Sequence, residues 1–175
     1  MLETIAIAAV ILTGAMLAFA ATKPDTFRVE RAIHIDAPPE RIFQHINDLT
    51  KWGAWSPWEK MDPGMKKTLS GPPQGTGAVC EWSGNNAVGQ GRMEILESIP
   101  STKIAVKLDF FKPFKAQNHA GFTLTACDGS TTVTWAMYGP QPYLAKVMGL
   151  FLNCEKMVGP QFETGLANLK MLAEK

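Results

Sequence analysis

The chain has 175 residues, enough for one domain plus an appendage, with 17 basic against 16 acidic side chains and a net charge of +1. That balance, with no run of Lys or Arg, excludes the electrostatic footprint of a nucleic-acid binder. Cys80, Cys127 and Cys154 are odd in number and widely spaced, without a CxxC, so they are not a disulfide framework; they read as small buried hydrophobes.

Ile5–Ala21, "IAIAAVILTGAMLAFAA", carries no charge and only Thr13 as a polar side chain. As a helix it is about 26 Å long, close to the hydrocarbon thickness of a bilayer. Two readings compete. A transmembrane anchor over residues 1–22 needs only this length and apolarity. A cleaved signal peptide is favoured by the small-x-small triplet Ala18-Phe19-Ala20 but lacks a basic n-region, since Glu3 is the charged side chain before the run. For an anchor, Lys23, Arg28 and Arg31 on the far side place a single-pass protein's following domain in the cytoplasm. Cleavage near Ala20 instead implies a periplasmic or secreted domain. Residues 23–26 form a short polar linker, and 27–175 the domain.

"FRVERAIHI" alternates, with Phe27, Val29, Ile33 and Ile35 on one face, and reads as a half-buried strand. In "DAPPERIFQHIND", Asp36 is a candidate cap, Pro38 and Pro39 suit a first turn, and Ile42, Phe43 and Ile46 form a stripe, which predicts a short helix ending near Asp48. "NDLTKWGAWSPWEKMDP" follows, with Trp52, Trp55 and Trp58 in seven residues broken by Gly53 and Pro57. From Met65 the period becomes 2. "MKKTLS" is a short strand, and "AVCEWSG" places Ala78, Cys80 and Trp82 together. "VGQGRMEILESI" is a longer strand. "KIAVKLDFF" places Ile104, Val106, Leu108 and Phe110 on one face. "QNHAGFTLTA" aligns Ala120, Phe122 and Leu124, and "TTVTWAMYG" aligns Val133, Trp135 and Met137. Short turns between them imply an antiparallel meander. From Pro142 to Lys175 the period returns to 3.6. Leu144, Val147, Met148, Phe151 and Met157 or Val158, then Phe162, Leu166, Leu169 and Leu172, form one stripe, and Gly159-Pro160 should kink or briefly break it. The order is α+β: strand, short helices, about six strands, long C-terminal helix.

At "IHIDAPPERIFQHINDLTKWGAWSPW" the chain resembles the polyketide cyclase/dehydrase-like branch of the SRPBCC superfamily, which also includes the START lipid-transfer domains and the major birch pollen allergen. The signature is a strand, "APPE", an apolar helix, Asp48, and the run of Trp52, Trp55, Ser56 and Pro57. "GQGRMEILESIP", "TTVTWAMYG" and "FETGLANLK" fit it too, so the likeness covers Phe27 to Lys175. It implies a helix-grip fold: a curved antiparallel sheet of about seven strands around a long C-terminal helix, here preceded by one hydrophobic helix. Between sheet and helix such folds hold a cavity for a hydrophobic small molecule or lipid. The ligand-binding candidates are Trp55, Trp58, Trp82, Phe110, Phe122, Trp135, Met137, Met148 and Phe151, each equally compatible with a filled core.

His34, His45 and His119 have no metal-pair spacing, so no metal site is expected and no cofactor is implied. No GxSxG or phosphate loop occurs. Glu81 and Glu94 alternate away from the apolar faces; an enzyme of cyclase or dehydratase type would need one of them to point inward, with a raised pKa. Three functions therefore stand in order: a membrane-anchored binder of a hydrophobic ligand, such an enzyme, and a non-catalytic partner in a membrane complex presenting an exposed apolar patch.

Overall fold

A computed structural model describes residues 1–151 and 153–175. Helix α1 (Leu2–Ala21) leads into strand β1 (Thr26–Ile35), then α2 (Pro39–Asn47), a 3-10 helix (Leu49–Ala54) and α3 (Pro57–Met61). Strands β2 (Lys66–Ser70), β3 (Val79–Ser83), β4 (Gln90–Ile99), β5 (Lys103–Lys112), β6 (Ala116–Cys127) and β7 (Ser130–Pro140) follow, then α4 (Tyr143–Gly149) and α5 (Cys154–Ala173). The seven strands form one antiparallel sheet in the order β1-β7-β6-β5-β4-β3-β2. Consecutive strands pair as hairpins, and β1 closes the far edge against β7, from Thr26 opposite Pro140 to Ile35 opposite Thr131.

Strand alternation turns one face of the sheet inward. Val29 and Ile35 of β1, Ile104 and Val106 of β5, Phe122 and Leu124 of β6, and Val133 and Trp135 of β7 are buried together. Over them lies α5, contributing Phe162, Leu166 and Leu169 at helical spacing. Its approach is close at Gly165, where an added Cβ would sit 2.8 Å from Cζ3 of Trp135. Ion pairs fasten α5 along β1. Arg31 reaches Glu155 and Glu163 at 2.6 Å each, and the Asp36 amide donates to Glu174 at 2.7 Å.

Four expectations need correction: of the three cysteines read as buried, Cys80 is, while Cys127 and Cys154 are exposed. Asp36 does not cap α2: the helix begins after Pro38 with no side-chain cap, and the capping aspartate is Asp48, which accepts from Thr50 N at the 3-10 helix. The C-terminal stripe is two helices rather than one kinked at Gly159-Pro160. α4 ends at Gly149 and α5 starts at Cys154, where Asn153 Oδ1 accepts from the amides of Glu155 and Lys156 and caps a new helix; Pro160 is carried inside α5. Finally, the first part of that stripe is not core, since Leu144, Phe151 and Met157 are exposed.

Candidate functional site

The tryptophan segment divides by depth. Trp52 and Trp55 are buried, and each indole nitrogen is spoken for: Trp52 Nε1 donates to the Ile46 carbonyl at 2.8 Å and Trp55 Nε1 to that of His45 at 3.1 Å. These bonds tie the 3-10 helix back onto α2, which explains how a segment broken by Gly53 and Pro57 stays fixed. Trp55 packs edge-on against Phe122 and Trp135. Trp58, the second residue of α3, is half-buried and lies edge-on to Trp135 and Phe162. Trp135 and Phe162 stack almost parallel at 4.0 Å, joining sheet to helix.

Beside this stack lies a cavity of about 260 Å³. Its floor is the inward face of the sheet: Val106 and Leu108, Ala120, and Trp135 and Met137. Trp52, Trp58, Val158 and Phe162 cover it. Toward the β2 side it meets Cys80, Trp82, Met93 and Phe110. There Trp82 lies edge-on to Phe110 and donates from Nε1 to the Val88 carbonyl at 3.0 Å. Gly91 makes room for that ring; a Cβ there would stand 2.5 Å from Trp82 Cζ2. The rim comprises α3, the β3–β4 loop (Asn86 to Gly89) and Lys112-Pro113 at the β5–β6 turn. Asn86, Ala87, Lys112 and Pro113 are exposed, so the cavity opens at this end of the sheet.

Polar groups are few and mostly lie to one side. Glu59 of α3 and Lys67 of β2 both line the wall, and Lys67 Nζ donates to Glu59 Oε1 at 2.7 Å. The Cys80 thiol is pushed above its usual range by burial, so at neutral pH it is a protonated, weakly nucleophilic wall residue. Trp135 Nε1 is buried with no acceptor, the one such side-chain atom among the described residues.

Of the nine residues proposed from the sequence, Trp58, Trp82, Phe110, Trp135 and Met137 line the cavity. Trp55 and Phe122 are buried in the core cluster and do not line it. Met148 and Phe151 sit on α4 and just beyond it, away from the lining, with Phe151 exposed. Sequence reasoning missed Glu59, Lys67, Met93 and Leu108 as wall residues; the period-2 pattern of β5 already aimed Leu108 inward. Glu81 and Glu94 pair with Arg92, at 3.9 and 2.7 Å, and neither lines the cavity. Among the described residues no three His, Cys, Asp or Glu side chains are grouped to hold a metal ion.

The family model for polyketide cyclase/dehydrase and lipid transport proteins matches residues 26–174. The chain belongs to this family. The match begins at the first residue of β1, so it covers sheet, cavity and α5 and leaves out α1. Solved structures share this fold. A Chromobacterium violaceum protein is 17% identical with a TM-score of 0.60, over 87% of this chain and 99% of that one. The di-domain aromatase/cyclase of the BE-7585A biosynthetic pathway is also 17% identical, TM-score 0.62, over 90% of this chain and 53% of its own length, so this chain spans about half of it. The allergen Ara h 8.0201 is 12% identical, TM-score 0.56, over 85% of this chain and 97% of that one. At such identities the likeness establishes the helix-grip fold. Compared with curated proteins by sequence, the chain matches none.

Proposed function

We propose that this protein is a membrane-anchored binder of a small hydrophobic or amphipathic molecule, held between the sheet and α5. The observation that carries the reading is the cavity: an apolar chamber inside an otherwise packed core, open at one rim, in a family described by polyketide cyclisation and lipid transport. A volume of about 260 Å³ is at the small end for ligand pockets, so it suits a single acyl chain or a compact ring system rather than a whole two-chain phospholipid. The Glu59–Lys67 pair gives one side of the chamber a polar wall, which favours a ligand with a polar end.

The anchor is α1, a helix long and apolar enough to cross a membrane. Its last turn is built into the fold. Ala20 is fully buried, and Tyr143 Oη donates to the Leu17 carbonyl at 3.0 Å. A segment destined for removal has no need of such contacts, which supports retention over cleavage after Ala20. The basic residues that follow α1 favour a cytoplasmic domain.

Native mass spectrometry of the full chain, released from membranes in mild detergent, tests both halves. Expected is an intact chain beginning at Met1 and carrying a small lipophilic adduct. A chain beginning at Ala21 removes the anchor. Failure to take up any lipophile from a hydrophobic metabolite extract removes the binding function.

A further inference from the structure

Helix α4 is inside out. A short surface helix in water turns its charges outward and its apolar side chains toward the core. In α4 the charged residue, Lys146, is the buried one at 8% exposure, its Nζ donating to Asp25 Oδ1 at 2.6 Å. Leu144 is 71% exposed, and Phe151 in the turn after α4 is 73% exposed. Such a surface fits a solvent other than water.

Its neighbour identifies that solvent. Tyr143 opens α4 and bonds to the carbonyl of Leu17, four residues before the end of α1, hence about 6 Å inside that helix. The 20 residues of α1 reach about 30 Å, the thickness of a hydrocarbon core, so the helix has no length to spare. If α1 spans, Leu17 is immersed at the edge of the apolar layer, and α4, fastened to it, cannot be held off in water. Lys23, just past the end of α1, lies with Nζ 4.3 Å from the Phe19 ring centroid, a cation–π contact that keeps a positive charge at this boundary. The nearby acids are already paired, Asp25 with Lys146 and Glu155 with Arg31. Strand register places the cavity rim at this same end. β1 starts at Thr26 opposite Pro140, and along that edge of the sheet lie Lys112, opposite Gln90, and the β5–β6 turn with Phe114, 63% exposed.

The geometry points to a bilayer-docking face made of Leu144, Phe151 and, across the rim, Phe114, which seats the domain on the lipid surface with the open end of its cavity toward the membrane. Cargo then passes between acyl chains and cavity without crossing water. This rests on the reading of α1 as an anchor. The test is spin-label accessibility on the full chain in liposomes of phosphatidylcholine and phosphatidylglycerol. Native cysteines are replaced by alanine, and labels are placed through Leu144→Cys, Phe151→Cys and Phe114→Cys, with Thr125→Cys at the opposite end of the sheet as reference. Unchanged thermal melting shows that the labelled chains are folded. Expected are collisions with oxygen outweighing those with a water-soluble nickel chelate at the three rim positions, and the reverse at 125. Nickel-accessible labels at all four, while α1 still resists alkaline extraction, overturn the docking face and leave the anchor standing. Labels shielded from both reagents overturn it in favour of a protein partner. Release of the chain by alkali removes the anchor and the docking face together.

Discussion

Trp55 and Trp58 stand three residues apart and the structure gives them different work, which paired substitutions can read. Trp55 is fully buried against Phe122 and Trp135 and holds the His45 carbonyl. Trp55→Ala removes a core ring, about 3–5 kcal/mol, and leaves a part-buried acceptor unpaired for about 1 kcal/mol more. Against a total stability of about 5–15 kcal/mol this takes roughly a quarter or more of the fold. Trp58 is half-buried in the cavity wall. Trp58→Ala loses a smaller share of stability, and its cost falls on ligand burial: about 1–3 kcal/mol, a loss of roughly 5- to 150-fold in affinity. Urea denaturation followed by circular dichroism, with titration of a lipophilic fluorophore, measures both. The domain from Lys23 onward is expected to fold alone, since the core cluster draws nothing from α1, whose last turn adds the packing of Ala20 and the Tyr143–Leu17 bond; Trp55→Phe covers the case in which Trp55→Ala does not fold. Equal destabilisation by the two alanine variants, with unchanged affinity in folded Trp58→Ala, would refute the division and return all three tryptophans to packing.

Gly165→Ala should destabilise by about 1–3 kcal/mol in urea melts, since its Cβ would meet Trp135 at 2.8 Å and Pro57 at 3.1 Å; a neutral result means α5 slides freely on the sheet. His45 is held below its ordinary value near 6.5 by burial and secondarily by Lys51. The folded state therefore binds fewer protons there than the unfolded chain, so stability should fall as pH drops from 6.5 through the depressed value, and His45→Gln should flatten that slope. Cys80, with its thiol raised by burial, should alkylate far more slowly at pH 7.5 than exposed Cys127, and more slowly still with the cavity filled; equal rates by mass spectrometry would contradict the wall assignment. Chelators should leave the melting temperature unchanged, and a stoichiometric zinc found by elemental analysis would contradict that.

Much of this fold is legible because period and face agree. In β5, Ile104, Val106 and Leu108 alternate inward without exception, and in α5, Phe162, Leu166 and Leu169 recur at helical spacing. α4 is where the pattern misleads. An apolar stripe at Leu144 and Phe151 has the same spacing whether it packs in a core or faces outward, and here both side chains are exposed while Lys146 is buried. The site was less legible for a related reason. Met137 and Phe122 point the same way from adjacent strands, and which of them meets empty space depends on where α3 and α5 come to rest. Glu59 and Lys67 are eight residues apart on different elements, and only the reversal at Pro63-Gly64 brings them together.

The central claim is that the chamber beneath Trp58 takes a ligand, and filling it is the most direct test. Ala120 is buried in its floor, and Ala120→Phe places a ring inside it. Titrated with a lipophilic fluorophore, the parent chain should bind saturably at one site, and folded Ala120→Phe should not. Equal binding by the two proteins, or no saturable binding by the parent, would contradict the account.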